Sequence, residues 1–269
     1  MKKNTKTLEI CCYIICLGAF GIFFRWMQLM LAYDDNSLVG KSFWNVAVIL
    51  LLAGAAFVAI RFVKQYQDKY YYLPHDFCQA LHNDSKLHNI FRWSVSGFVI
   101  VGALLLLMEC EIDKNANFYR VLAVATIVSG LCFGLLLSAA NRPAVLNRNF
   151  VSFLASVPII MMAIWTITLY KVNSINPVSW DYATELFAVL VSMLAFFRVA
   201  GFAFGVENEW RSLFFCILGA VSCMANLAND RYLGYQVMFA GVAMMQILYV
   251  WIMLDNMKKG QPVEKDISI

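Results

Sequence analysis

The sequence predicts an all-α integral membrane protein with eight transmembrane helices, and three observations carry that prediction. Of 269 residues, 61% are hydrophobic and 14% are charged, with a mean hydropathy of +0.67. A soluble domain carries about 25% charged residues. A folded core cannot take this much apolar surface out of water, whereas a bilayer can. Second, the apolar residues gather into runs of about 20, the length a spanning helix needs. Third, Lys and Arg are divided unevenly between alternate connections.

The first run covers 8–32. Its start, "MKKNTKTLEICCYIICLGAF", imitates a secretory signal. The run continues well past the usual 7–15 apolar residues and shows no small-residue cleavage site, so it reads as the first helix. Further runs follow at 42–63, 93–110, 118–139, 149–170, 179–200, 212–228 and 233–254. The run at 212–228 is short, which predicts either a weakly tilted span or a re-entrant segment.

Orientation follows from the basic residues. With the N-terminus inside, the inner segments hold Lys2, Lys3, Lys6, Arg61, Lys64, Lys69, Lys86, Arg92, Arg142, Arg148, Arg198, Arg211, Lys258, Lys259 and Lys265. The outer segments hold only Lys41, Lys114, Arg120, Lys171 and Arg231. This predicts cytoplasmic N- and C-termini, as an even number of spans requires.

An internal repeat is also legible. At a separation of 137 positions Tyr33 matches Tyr170, Asn36 matches Asn173, Ser37 matches Ser174, Ser42 matches Ser179 and Arg61 matches Arg198. Beyond that the separation becomes 117, pairing Trp93 with Trp210, Gly102 with Gly219, Ala103 with Ala220 and Asp113–Lys114 with Asp230–Arg231. One loop of 20 extra residues accounts for the change. The domain plan is therefore a cytoplasmic N-terminus (1–7), a first four-helix repeat (8–139) containing a cytoplasmic loop (64–92), a linker (140–148), a second four-helix repeat (149–254) and a cytoplasmic tail (255–269). Repeats of even helix number share one orientation, which places a pseudo-twofold axis along the membrane normal and a cavity between the copies.

The candidate site starts from Arg25, a charge inside the first run, about 10 Å from its outer end at 1.5 Å per residue. Such a charge marks a pathway or site and calls for a carboxylate. Gln28 lies one turn away on the same face. Glu109 and Glu185 sit near outer helix ends, and Asn226 is the repeat partner of Glu109. Together Arg25, Gln28, Glu109, Glu185 and Asn226 are the expected lining of an outward-facing substrate pocket. The competing reading has Arg25 snorkel to the outer interface or form one structural ion pair.

All three histidines lie in the 64–92 loop. His75, His82, Lys86 and His88 are the candidate docking residues for a cytoplasmic protein partner. His75, Cys78 and His82 also make a weak zinc candidate, since Cys78 and His82 stand four apart on a short helix. The competing expectation is an interfacial helix with Tyr70, Tyr71, Tyr72, Phe77 and Leu81 against lipid. Trp26, Trp44, Trp165, Trp180 and Trp210 read as interface anchors. Gly130-x3-Gly134 and Gly201-x3-Gly205 read as helix-packing motifs within the chain.

The eight cysteines fall mostly inside apolar runs and act as soft hydrophobes. No catalytic motif is present: no H-E-x-x-H, no P-loop, and no dinucleotide fingerprint in a strand–helix context. No cofactor and no nucleic acid is implied; the bilayer is the evident partner. The stretch "FRWMQLMLAYDDNSLVG" (24–40) resembles the end of the first helix in a loose group of uncharacterised multi-pass proteins of anaerobic Gram-positive bacteria. There an Arg-x-x-Gln precedes a short acidic outer loop, matched here by Arg25, Gln28 and Asp34 or Asp35. The resemblance implies a bacterial cytoplasmic membrane and no activity. The functional expectation is a permease or carrier-like protein for a small solute. The alternatives are a non-catalytic interaction or sensory subunit using the 64–92 loop, and a lipid-modifying enzyme working through Glu109 or Glu185.

Overall fold

Eight helices long and apolar enough to cross a membrane run through the computed structural model, and its described residues are 92% helical. Those residues are 2–31, 42–68, 71–74, 76–83, 85–112, 116–141, 147–173, 179–206, 208–229 and 232–259. The spanning helices are α1 (Lys2–Leu31), α2 (Ser42–Gln67), α4 (Lys86–Glu109), α5 (Ala116–Ala140), α6 (Arg148–Asn173), α7 (Ser179–Phe204), α8 (Glu209–Ala225) and α9 (Leu233–Asn256). A five-residue helix, α3 (Phe77–Leu81), precedes α4. Helix is the expected state of such runs, because lipid offers no partner for an exposed N–H or C=O.

Several boundaries run beyond the apolar stretches that predict them. α2 continues to Gln67 and α4 begins at Lys86, so the 64–92 connection contracts to 68–85. The helical backbone satisfies itself through these polar turns, and hydropathy stops short of it. α8 is joined by a 3-10 turn, Asn226–Ala228, which brings the short seventh run to the length of a span.

The helices alternate in direction. Thr7 Oγ1 donates to Asp255 Oδ1 at 3.1 Å, so the start of α1 meets the end of α9 on one face, the terminal face. There β1 (Tyr71–Tyr72) pairs antiparallel with β2 (Lys258–Lys259), and Asn256 Nδ2 donates to the carbonyls of Ala80 and His82 at 2.9 and 2.8 Å. At the opposite, distal face Glu109 meets the start of α9: its carboxylate accepts from Leu233 N at 3.2 Å and Gly234 N at 2.8 Å.

α9 is the centre of the bundle, packed by α4, α8 and α1. Close approach to α4 depends on glycine. A Cβ added at Gly234 would overlap the Leu106 backbone, one at Gly102 would stand 2.9 Å from Met238 N, and one at Gly241 would strike Val99. Gly130 and Gly134 let α5 lie against Ser96 and Trp93 of α4, an intramolecular contact as the motif predicts. Gly205 has a different part: its φ of 75° is left-handed, the usual glycine end to a helix, and it terminates α7.

The halves that match in sequence are not packed alike. α4 packs along α9 and α1 along α8, while the counterparts α8 with α5 and α6 with α4 share no comparable interface among the described residues. Two expectations are corrected. Phe77, Ala80 and Leu81 are buried, because α3 folds under the bundle against α9 and α5 instead of facing lipid. Trp165 is fully buried, stacked with Tyr235 and Phe239 at 5.5 and 4.6 Å; it is a core residue and not an interface anchor. The side chain of Trp180 lies outside the described residues.

Candidate functional site

The site is assembled by small residues first. A Cβ at Gly18 would overlap Met224, and one at Gly21 would lie 2.9 Å from Ala225 Cβ, so α1 and α8 come together there. One turn further along, that approach brings Arg25 onto the chain leaving α8. Arg25 is 1% exposed, which rules out snorkelling: the guanidinium turns inward. Its Nε donates to Asn229 Oδ1 at 2.7 Å and its Nη1 to Gln28 Oε1 at 2.7 Å.

From there the network spreads over four helices. Gln28 Nε2 donates to Asn45 Oδ1 of α2 at 2.6 Å. Asn229 Nδ2 donates to Glu185 Oε1 of α7 at 2.7 Å and to Asn226 Oδ1 at 3.0 Å. Thr184 Oγ1 donates to Asn226 Oδ1 at 3.1 Å, and Asn226 Nδ2 returns to the Thr184 carbonyl at 3.1 Å. Gln236 Nε2 of α9 donates to the Asn229 carbonyl at 2.7 Å. Asn229 is the hub. Arginine can only donate and a carboxylate only accept, so its amide bridges them with the oxygen toward Arg25 and the nitrogen toward Glu185. A buried cation and a buried carboxylate thus share one chain of hydrogen bonds, the arrangement that makes such charges tolerable.

Of the residues expected at the site, Arg25, Gln28, Glu185 and Asn226 meet. Glu109 does not: its carboxylate holds the first amides of α9, a favourable place for negative charge. Asp34 and Asp35 lie outside the described residues. Asn45, Thr184 and Asn229 are members that sequence reasoning missed. Asn229 had a signal, since it stands three residues from Asn226 at the end of a span.

Beside the network, α2 and α7 stand apart and leave a cleft of about 430 Å³. Gln28, Asn45 and Thr184 form its polar corner, and Val48, Leu52, Ala56 and Phe187 are among the residues of its apolar wall. From Asn45 to Ala56 the wall runs about 16 Å along α2 at 1.5 Å per residue. The polar side chains therefore close on one another, and the open volume next to them is apolar. Such a lining would suit a molecule with an apolar body and one hydrogen-bonding end.

The histidine region builds no comparable site. His75 lies outside the described residues. His88 is buried with its ring 4.4 Å from that of Trp251, so it is a packing residue and not a docking one; its place on the inner face of α4 decides this. His82 is half-buried, and Lys86 is exposed at the start of α4. Cys78 is half-buried, and burial, then the nearby Asp76, pushes its thiol pKa up, away from the thiolate a metal needs. Among the described residues no three His, Cys, Asp or Glu side chains come together. Both side-chain amide atoms of Gln246, fully buried on α9 against Gly219, have no hydrogen-bond partner among the described residues.

No protein-family model matches the chain, and no curated protein or solved structure matches it.

Proposed function

We propose that this chain is a non-enzymatic, carrier-like membrane protein that binds a small amphipathic solute in the α2–α7 cleft. The observation that carries the reading is the cleft itself: an apolar volume of about 430 Å³ with its polar corner at Gln28, Asn45 and Thr184. Ligand pockets have this character, mostly apolar walls with a few polar groups that orient the ligand. Arg25 and Glu185 act one step behind that corner, fixing Gln28 and the loop that holds Asn226 and Asn229. The ligand is amphipathic, narrower than the small solute of the sequence reading, because the strongest polar groups already satisfy each other.

The membrane in this reading is a bacterial cytoplasmic membrane, with the terminal face inside. Lys64, Lys86, Arg148, Arg211 and Lys258 all belong to that face, which supports the inside assignment. The matched loop residues support duplication as the origin of the two halves, though the site draws on both without using any equivalence between them. The interaction-subunit reading keeps one support, the exposed Lys86 beside the loop clipped to the end of α9. The lipid-modifying reading is weakened because Glu109 is engaged at the start of α9 and neither Glu109 nor Glu185 lines the cleft.

Native mass spectrometry of protein extracted gently from its membrane tests the reading. A co-purifying amphiphile is expected on the wild type and not on Ala53→Phe, which fills the cleft. An adduct that survives Ala53→Phe, or none on the wild type, would sink the proposal. Cysteine-labelling from either side of the membrane, at Lys64→Cys and Phe118→Cys, checks the orientation.

A further inference from the structure

A second cavity lies on the terminal face, distant from the α2–α7 cleft. It measures about 310 Å³ and forms where the connection before α4 meets the end of α5. Its described lining is Lys86, Arg92, Asn83, Asn89, Asn141 and two serines, Ser85 and Ser138. All of these are polar and two are cations.

The wall is preformed. Asn83 N donates to Asn141 Oδ1 at 2.9 Å, and Asn141 Nδ2 donates back to the Asn83 carbonyl at 2.8 Å. Ser85 N donates to Asn83 Oδ1 at 2.9 Å. The connection is thus clipped to the last turn of α5. Lys86, Asn89 and Arg92 recur every three residues and so share one face of α4. Arg92 is buried and donates to Asn89 Oδ1; its guanidinium carbon stands 5.4 Å over the Trp93 ring. Both contacts hold the side chain in place.

Two features select the ligand. A planar guanidinium, an ammonium and several amide and hydroxyl donors fit the oxygens of a phosphoryl group. The volume lies at the lower end of the range for small-molecule sites and exceeds what a single water needs. The neighbouring face of the same turns presents Leu87, Ile90 and Phe91, all exposed, to the bilayer. A polar cavity beside lipid-facing residues in the first turns of a spanning helix sits at headgroup depth.

We propose that this cavity binds a phosphate-type oxyanion, carried either by a lipid headgroup or by a soluble phosphate. The test is the thermal unfolding of the full chain in a phosphate-free glycoside detergent. The titrants are a short-chain phosphatidylglycerol, the diacylglycerol of the same chain length, and inorganic phosphate against chloride at equal ionic strength. A ligand that binds only the folded state raises Tm. Phosphatidylglycerol is expected to raise it where diacylglycerol does not, which assigns a headgroup. A rise with inorganic phosphate, alone or equally, assigns a soluble source. In either case Lys86→Gln weakens the apparent affinity about tenfold, the loss of one charge-assisted hydrogen bond, and Ser138→Phe removes the response by filling the cavity. Lys86 is exposed, so its variant reports even if Ser138→Phe does not fold. The proposal is overturned if no titrant moves Tm, if diacylglycerol acts as phosphatidylglycerol does, or if Lys86→Gln responds as the wild type.

Discussion

α2 and α9 are helices of similar length with opposite places in the molecule. α2 is the most apolar of the eight spans and the least buried; α9 is the most buried, and α8, the least apolar, comes next after it. In water the order would be reversed. In a bilayer lipid tails solvate leucine as well as a protein core does, so apolarity does not draw a helix inward. Close packing and interhelical hydrogen bonds do. α9 has the glycines at 234 and 241 that admit α4, whereas Gly54 of α2 has nothing within 4 Å of an added Cβ.

That contrast can be broken most directly at the glycines. Gly234→Leu drives a side chain into the Leu106 backbone and should cost more than about 3 kcal/mol, or leave no folded protein, while Gly54→Leu should stay within about 0.5 kcal/mol. Thermal unfolding in bicelles reads both, and equal losses would refute the packing account. Next comes Arg25→Met, which leaves Asn229 and Gln28 without their donor and should cost about 3 kcal/mol. A double-mutant cycle with Asn229→Leu should show coupling between them; additive losses would deny the hub. Gln246→Leu runs the other way. Replacing a buried amide that has no hydrogen-bond partner among the described residues with an apolar group of similar size should stabilise by about 1 kcal/mol, and a loss would mean the amide has a bound partner. A loss of similar size belongs to Glu109→Ala, which takes the carboxylate from the start of α9 and should cost about 1 kcal/mol. Glu109→Gln should recover part of that, and a silent alanine variant would remove the capping assignment.

The spans were legible because hydropathy reports lipid exposure and length, and lipid-facing helices such as α2 obey it fully. Arg25, Gln28, Glu185 and Asn226 were legible because a polar residue in an apolar run is conspicuous. Their partners were harder. Asn45 and Thr184 sit within the first two turns of α2 and α7, where polar residues are ordinary, and only the approach of α1 to α8 at Gly18 and Gly21 tells which of them turn inward. The same limit applied to Trp165, since a tryptophan near a helix end reads as an anchor until its neighbours are known. Leu81 was misplaced because α3 folds back under the bundle, and His88 because it lies on the inner face of α4; both make long-range contacts with α9 that local pattern does not encode. Which helices pack together was not legible at all, since the paired halves suggested an equivalence that the contacts of α4 and α9 do not follow.

α9 follows the other seven spans in chain order and still occupies the middle, with its end clamped to the connection before α4 through Asn256 and the β1–β2 pair. During synthesis, therefore, α4, α1 and α8 can meet their other neighbours first, but each lacks the face of α9 it packs against until that helix emerges. The centre is filled from the inside, by a span that follows the other seven. A ribosome stalled within α8 would hold an assembly that is open where the mature protein is most closed. Its Gly102 face would stay exposed to lipid and to any chaperone that recognises a helix groove lined by small residues.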